Sequence, residues 1–260
     1  MAAVDGPIWI VGASTGIGRS LALKLARRGI KVAVSARSED KLQALADEGP
    51  EGMILPVALD ATDESAVDAA VDRVEAALGP LATVIYGAGF WQLAPAQALT
   101  VELFRRHFEV NFFAALTVAL AAYRRMRSRG RGRLVLISSV AGYTGLPGAA
   151  AYGASKSAMT HAAESIRPEA KRDGVLVQAV HPGFVDTPMT AENPFPMPFI
   201  ISADRAADRI IAGLGTRRFD ITFPRRFTYM LKLLRCLPYP LYFSLMRPPA
   251  EPSDTDTGAE

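Results

Sequence analysis

Cysteine, histidine and long apolar runs are all scarce in this sequence, and each scarcity excludes a class of protein. Cys236 is the only cysteine among 260 residues, so no intramolecular disulfide can form and a reducing compartment is the expectation. His107, His161 and His181 have no metal-ligand spacing and no His/Cys/carboxylate cluster around them, so neither a metal site nor a Ser-His-acid triad is expected. They read as ordinary buried or surface histidines. No uninterrupted apolar stretch reaches the ~18 residues that a membrane-spanning helix needs. Met1 to Pro7 lead straight into a first strand with no room for a signal peptide, so a cytoplasmic protein is expected. A formal charge of +3 is too nearly balanced for a general nucleic-acid binder.

Half of the residues are apolar, enough for one large α/β domain with a full core. Short apolar strands are read at Ile8–Val11, Lys31–Ala36, Met53–Leu59, Leu81–Tyr86, Leu134–Ser138 and Val175–His181. Helices are read between them at Ile17–Arg28, Glu39–Glu48, Thr62–Leu78 (capped by Thr62), Val101–Arg129 and Ala151–Asp173. Strands that are apolar almost throughout, alternating with helices, argue a parallel sheet covered on both faces. The charge is uneven toward the end. Arg217, Arg218, Arg225, Arg226, Lys232, Arg235 and Arg247 face only Asp220 as an acid, and Glu251, Asp254, Asp256 and Glu260 then follow. The expected organisation is a catalytic domain at 1–216, a basic amphipathic extension at 217–248 and a disordered acidic tail at 249–260.

Gly12-Ala13-Ser14-Thr15-Gly16-Ile17-Gly18 joins the first strand to the first helix. Glycines there let the backbone turn tightly and approach a pyrophosphate, whose charge is favoured by amides at the helix N-terminus. The motif opens a βαβ unit, the context that a Rossmann-type doubly wound nucleotide fold requires. The second strand lacks the acid that would hold the ribose 2′-hydroxyl. Ser35-Ala36-Arg37-Ser38 stands there, and a carboxylate would repel a 2′-phosphate where Arg37 can bind it, so NADP is expected over NAD.

Further along, Tyr152 and Lys156 are four residues apart and share one helix face. A positive charge beside a phenol favours the phenolate, which would make Tyr152 a general acid or base.

Taken together, these segments resemble the short-chain dehydrogenase/reductase family over roughly residues 7–190. The glycine segment is similar to the family's Thr-Gly-x-x-x-Gly-x-Gly, with Val11 in the Thr position. The resemblance implies a cofactor set of Gly12, Ser14, Thr15, Gly16, Ile17, Gly18 and Arg37, with Asp60 and Ala61 on the adenine side. It adds Ala88 and Gly89 after the fourth strand, and Pro182, Gly183, Val185 and Thr187 at the nicotinamide end. It implies catalytic Asn111, Ser139, Tyr152 and Lys156, with Ser139 thirteen positions before Tyr152 as the family spaces them. Asn111, Tyr152 and Lys156 would serve the cofactor as well. Ser139 would hold the substrate oxygen, Tyr152 would move its proton, Lys156 would lower the Tyr152 pKa and hold the nicotinamide ribose, and Asn111 would organise a relay water. One departure is visible. The family's Asn-Asn-Ala-Gly is Tyr86-Gly87-Ala88-Gly89 here, which removes an amide expected to brace the sheet.

Phe90, Trp91, Tyr143, Leu146, Phe184 and Met189 follow the catalytic strand ends, and Asn193–Phe199 falls where the resemblance implies a substrate lid. These suggest an apolar pocket. Phe223–Met246 interleaves Arg225, Arg226, Lys232 and Arg235 with aromatic and aliphatic residues. It suits a helix on an anionic membrane surface, a cover over the pocket or a subunit interface. The expected function is an NADP(H)-dependent oxidoreductase interconverting an apolar, lipid-like carbonyl and its alcohol, working as a homo-dimer or homo-tetramer. The alternatives are the same chemistry with NAD(H), or a catalytically silent nucleotide-binding regulator.

Overall fold

A computed structural model describes residues 6–191 and 193–246. The chain runs β1 (Ile8–Val11), α1 (Gly16–Ala26), β2 (Val32–Ser35), α2 (Glu39–Glu48), β3 (Ile54–Pro56), α3 (Glu64–Leu78) and β4 (Thr83–Tyr86). Next come α4 (Val101–Phe108), α5 (Ala114–Ser128), β5 (Gly132–Ile137), α6 (Ala150–Arg172), β6 (Val175–Pro182), β7 (Val185–Asp186) and β8 (Ile201–Ser202). The remainder is α7 (Ala203–Leu214), β9 (Asp220–Phe223), α8 (Arg225–Arg235) and α9 (Tyr239–Leu245).

Seven parallel strands form one sheet in the order β3-β2-β1-β4-β5-β6-β9. Chain order reverses between β1 and β4, and the crevice beyond the carboxyl ends there is where such sheets bind ligands. Alternate residues of β1 enter opposite cores, as the two-residue period requires. Trp9 and Val11 pack with Val67, Val71, Val118 and Met159 from α3, α5 and α6. Ile8 and Ile10 pack with Leu21, Leu25, Ala206 and Ile210 from α1 and α7. Each fully buried aliphatic side chain contributes about 1.5–3 kcal/mol relative to exposure, and this doubly covered sheet carries the loops at its carboxyl end.

Three expectations are corrected. The helix read across Val101–Arg129 is α4 and α5 joined by a π-helical turn, Glu109–Phe113, which contains Asn111. The α3 cap is Asp63, whose carboxylate accepts from the Ala66 amide. The Thr62 hydroxyl is instead drawn to Asp60, 2.7 Å away. The catalytic domain does not stop at 216, because β9 pairs with β6 as the seventh strand and the extension begins with α8. The tail expected at 249–260 lies outside the described residues.

Candidate active site

At the nucleotide end, Gly12 adopts φ 91° and Gly16 φ 56°, backbone conformations that favour glycine. A Cβ on Gly12 would lie 2.2 Å from the Ala88 nitrogen, and one on Gly18 would lie 2.2 Å from the Gly12 carbonyl oxygen. Both glycines therefore permit close backbone packing. A Cβ on Gly16 would come within 3.0 Å of Thr187, so the glycine loop and Thr187 form facing lips. Thr15 begins α1 without a side-chain cap, leaving its first-turn amides free of a side-chain partner. Arg37 is exposed just past β2 and forms no ion pair among the described residues. Asp60 is also exposed. Its carboxylate accepts from the Thr62 amide and hydroxyl, and these hydrogen bonds hold its pKa below the ordinary value despite slight desolvation, with Arg37 helping. Ser35, in the segment that lacks the acid, accepts from Trp9 Nε1 at 2.9 Å.

Asn111, Ser139, Tyr152 and Lys156 meet at the ends of β4 and β5. Asn111 is fully buried in the π-turn. Its Oδ1 accepts from the Phe90 amide at 2.7 Å, and its Nδ2 donates to the Phe90 carbonyl and to Ser155 Oγ, each at 3.0 Å. A methyl at Gly89 would lie 3.4 Å from Asn111 Oδ1 and 3.8 Å from Lys156 Nζ, so those groups converge beside the Ala88-Gly89 backbone. Lys156 donates to the Ile137 carbonyl at 2.9 Å, with its ammonium 5.8 Å from the Tyr152 ring centroid. Ser139 Oγ accepts from the Ala141 amide, whereas Ser138 turns inward to the Lys156 carbonyl and Thr160.

Ser139 and Tyr152 form part of the wall of a cavity with an empty volume of about 790 Å³, mouth included. Trp91, Leu146, Phe184, Met189, Phe195 and Phe227 supply its apolar lining. Trp91 stands edge-on to Tyr152, with centroids 4.8 Å apart, and donates from Nε1 to Asn193 at the start of the expected lid. Phe90 and Tyr143 do not line it. Phe90 packs with Ala94, Leu103 and Ala151, and Tyr143 belongs to a polar network described below.

Residues 7–195 match the short chain dehydrogenase family, most of the chain. The chain belongs to the short-chain dehydrogenase family. An uncharacterized oxidoreductase of Myxococcus xanthus is 36% identical over 240 residues, covering 92% of this chain and 95% of that protein. The 3-oxoacyl-acyl-carrier-protein reductase MabA of Mycobacterium tuberculosis is 35% identical over 187 residues, 72% of each chain. A solved short chain dehydrogenase from Burkholderia cenocepacia, in complex with NADP, superposes with a TM-score of 0.81 at 27% identity, covering 94% of this chain and 99% of that one. The chain is an oxidoreductase of this family, and its sheet and flanking helices are the family's fold.

In this short-chain dehydrogenase burial acts on both titrating groups of the site. Burial pushes the Tyr152 phenol up to about 12, with the Ser139 hydroxyl acting in the opposite sense. Burial also brings the Lys156 ammonium down to about 7. Both side chains are thus biased toward their neutral forms, because removal from water penalises each charged form. Lys156, expected to lower the Tyr152 pKa, here donates to the Ile137 carbonyl.

Other functional positions were not read from the sequence. Tyr86 stands where the family has an asparagine, and its hydroxyl donates to the Val110 carbonyl at 2.5 Å, bracing the turn that carries Asn111. The signal was present, a tyrosine ending an apolar strand, but its reach of 24 residues was not. Asp220 accepts from His181 Nδ1 at 2.8 Å, from the Tyr143 hydroxyl at 3.2 Å and from Lys232 of α8. His181 Nε2 in turn meets Thr160, which meets Ser138 at 2.9 Å. The buried ring of His107 is held between the Leu103 carbonyl and the Gln92 amide, and burial lowers its pKa. His161 is exposed, so none of the three histidines enters the cavity wall.

Proposed function

We propose that the protein is an NADP(H)-dependent carbonyl reductase or alcohol dehydrogenase for apolar, lipid-like substrates. The observation that carries this reading is that one apolar cavity is lined by both Ser139 and Tyr152. Backbone amides at the start of α1 suit a pyrophosphate, and Arg37, free of any acid partner among the described residues, suits a 2′-phosphate. When bound, the nicotinamide supplies or accepts the hydride. Ser139 hydrogen-bonds the substrate oxygen, and the neutral Tyr152 phenol donates its proton to that oxygen during reduction. Asn111 fixes the Phe90 backbone beside the site, and Lys156 holds the ribose side of the nucleotide. Phe184, Phe195 and Phe227 exclude water and receive the apolar part of the substrate.

Homo-oligomerisation through the two long helical segments that contain Asn111 and Tyr152, α4–α5 and α6, belongs to the same reading. Phe113, in the π-turn between α4 and α5, is 51% exposed and Leu120, on α5, 42% exposed. The test of function is NADPH oxidation across aliphatic, alicyclic and long-chain acyl ketones. Turnover that grows with apolar length supports the reading. Tight NADPH binding without turnover of any ketone would instead favour a silent nucleotide binder.

A further inference from the structure

Between Ile221 and Met246 the sequence has no acidic residue, and α8 and α9 occupy most of that span. The inner side of α8 is accounted for. Phe227 and Leu231 are buried, Leu234 packs with them, and Phe227 reaches the cavity. A Cβ on Gly183 would lie 2.8 Å from the Phe227 ring, so a glycine at that position admits the helix. Lys232 anchors it to Asp220, and the Tyr242 hydroxyl of α9 donates to the Gly145 carbonyl beside cavity residue Leu146.

The outer side is not polar, as a water-facing helix surface would be. Tyr229 is 57% exposed, Leu233 68%, Tyr239 75%, Leu241 56% and Phe243 62%. Arg225, Arg226 and Arg235 are exposed beside them without ion pairs among the described residues. Phe199, 53% exposed and 6.1 Å from the Phe227 ring, extends the apolar surface to the lid.

We infer that this outer face of α8 and α9 docks on an anionic lipid bilayer, placing the cavity next to the bilayer. The inference rests on the reading of an apolar substrate, which would then pass from lipid to pocket without crossing water. Exposed aromatic and aliphatic side chains interleaved with cations and no acid between Ile221 and Met246 match the chemistry of an anionic interface. The break between α8 and α9 at Pro238 keeps each helix short, so the pair lies on the surface, and no helix among the described residues is long and apolar enough to cross. Residues 247–260 contain no large apolar side chain that could cover such a face.

The test is co-sedimentation of the full chain with phosphatidylcholine vesicles, with and without phosphatidylserine, across a salt series. NADPH oxidation with a small water-soluble ketone is measured in parallel. Binding should require phosphatidylserine and weaken with salt. It should fall at least tenfold in Arg225→Gln/Arg226→Gln/Arg235→Gln and in Leu241→Ser/Phe243→Ser, while soluble-ketone turnover stays unchanged. No binding, or equal binding to both vesicles, would overturn the inference. So would a phosphatidylserine-independent dimer that Leu241→Ser/Phe243→Ser dissociates, because the face would then join two copies. The vesicle-binding and dimer outcomes do not depend on turnover, so failure here leaves the reductase reading standing, and absent turnover leaves vesicle binding interpretable.

Discussion

Tyr152 and Lys156 illustrate how burial sets chemistry at the scale of a residue. Burial puts the phenol at about 12, so it is protonated at neutral pH and suited to donate a proton. The sign follows directly: the raised pKa keeps the acid form populated as pH rises, so reduction needs no prior titration of Tyr152, whereas alcohol oxidation gains phenolate with every rise in pH. Ultraviolet difference titration of the cofactor-free protein should give superimposable tyrosinate curves for wild type and Tyr152→Phe up to pH 10, the ordinary tyrosine value. An extra tyrosinate near neutrality in wild type would contradict this. Arg37 carries a second prediction. Arg37→Asp should weaken NADPH and improve NADH, since attraction for a 2′-phosphate becomes repulsion. Isothermal titrations showing equal affinity of wild type for both nucleotides would remove the NADP assignment. Tyr86→Phe leaves the Val110 carbonyl without its hydroxyl partner and should cost about 1–3 kcal/mol of stability, read as a lower denaturant midpoint.

Among the elements, α8 is the one whose placement decides the pocket. Its anchor is Asp220. Burial alone would raise that carboxyl, but hydrogen bonds and charge from His181 and Lys232 bring it down to about 2. A folded-state value below the ordinary 3.8 adds stability above that pH, and the gain is lost as pH falls from 3.8 toward about 2. Asp220→Asn should therefore flatten the acid limb of the stability profile in that window. Lys232→Met should loosen α8 and raise KM for bulky ketones more than it lowers kcat. An unchanged acid limb in Asp220→Asn would mean the carboxylate is not the anchor. The sequence marked this segment as a departure and left its partner open among membrane, pocket and subunit. Phe227 in the cavity wall answers the inner half of that question. The answer was hidden because His181 and Asp220 meet across 39 residues, a separation that no local pattern encodes.

For the whole molecule, the parallel sheet was legible because both of its faces are buried, which makes six of its seven strands read as apolar runs. Its seventh strand was not assigned, since Asp220-Ile221-Thr222-Phe223 alternates polar and apolar residues at the sheet edge. The convergence of Asn111, Ser139, Tyr152 and Lys156 was legible through motif spacing. The π-turn that carries Asn111 was not, because an extra residue in a helical turn leaves the apolar pattern almost unchanged. Oligomer formation through α4–α5 and α6 predicts a mass above 27.8 kDa by light scattering, and Phe113→Glu should shift it toward the monomer. A monomer at micromolar concentration in wild type would end that part of the account. Whether Tyr152 is the proton donor of a carbonyl reductase is decided by comparing wild type with Tyr152→Phe on an apolar ketone. The account predicts a loss of about 10²–10⁴-fold in kcat with NADPH affinity largely kept. Turnover within a few-fold of wild type would contradict it.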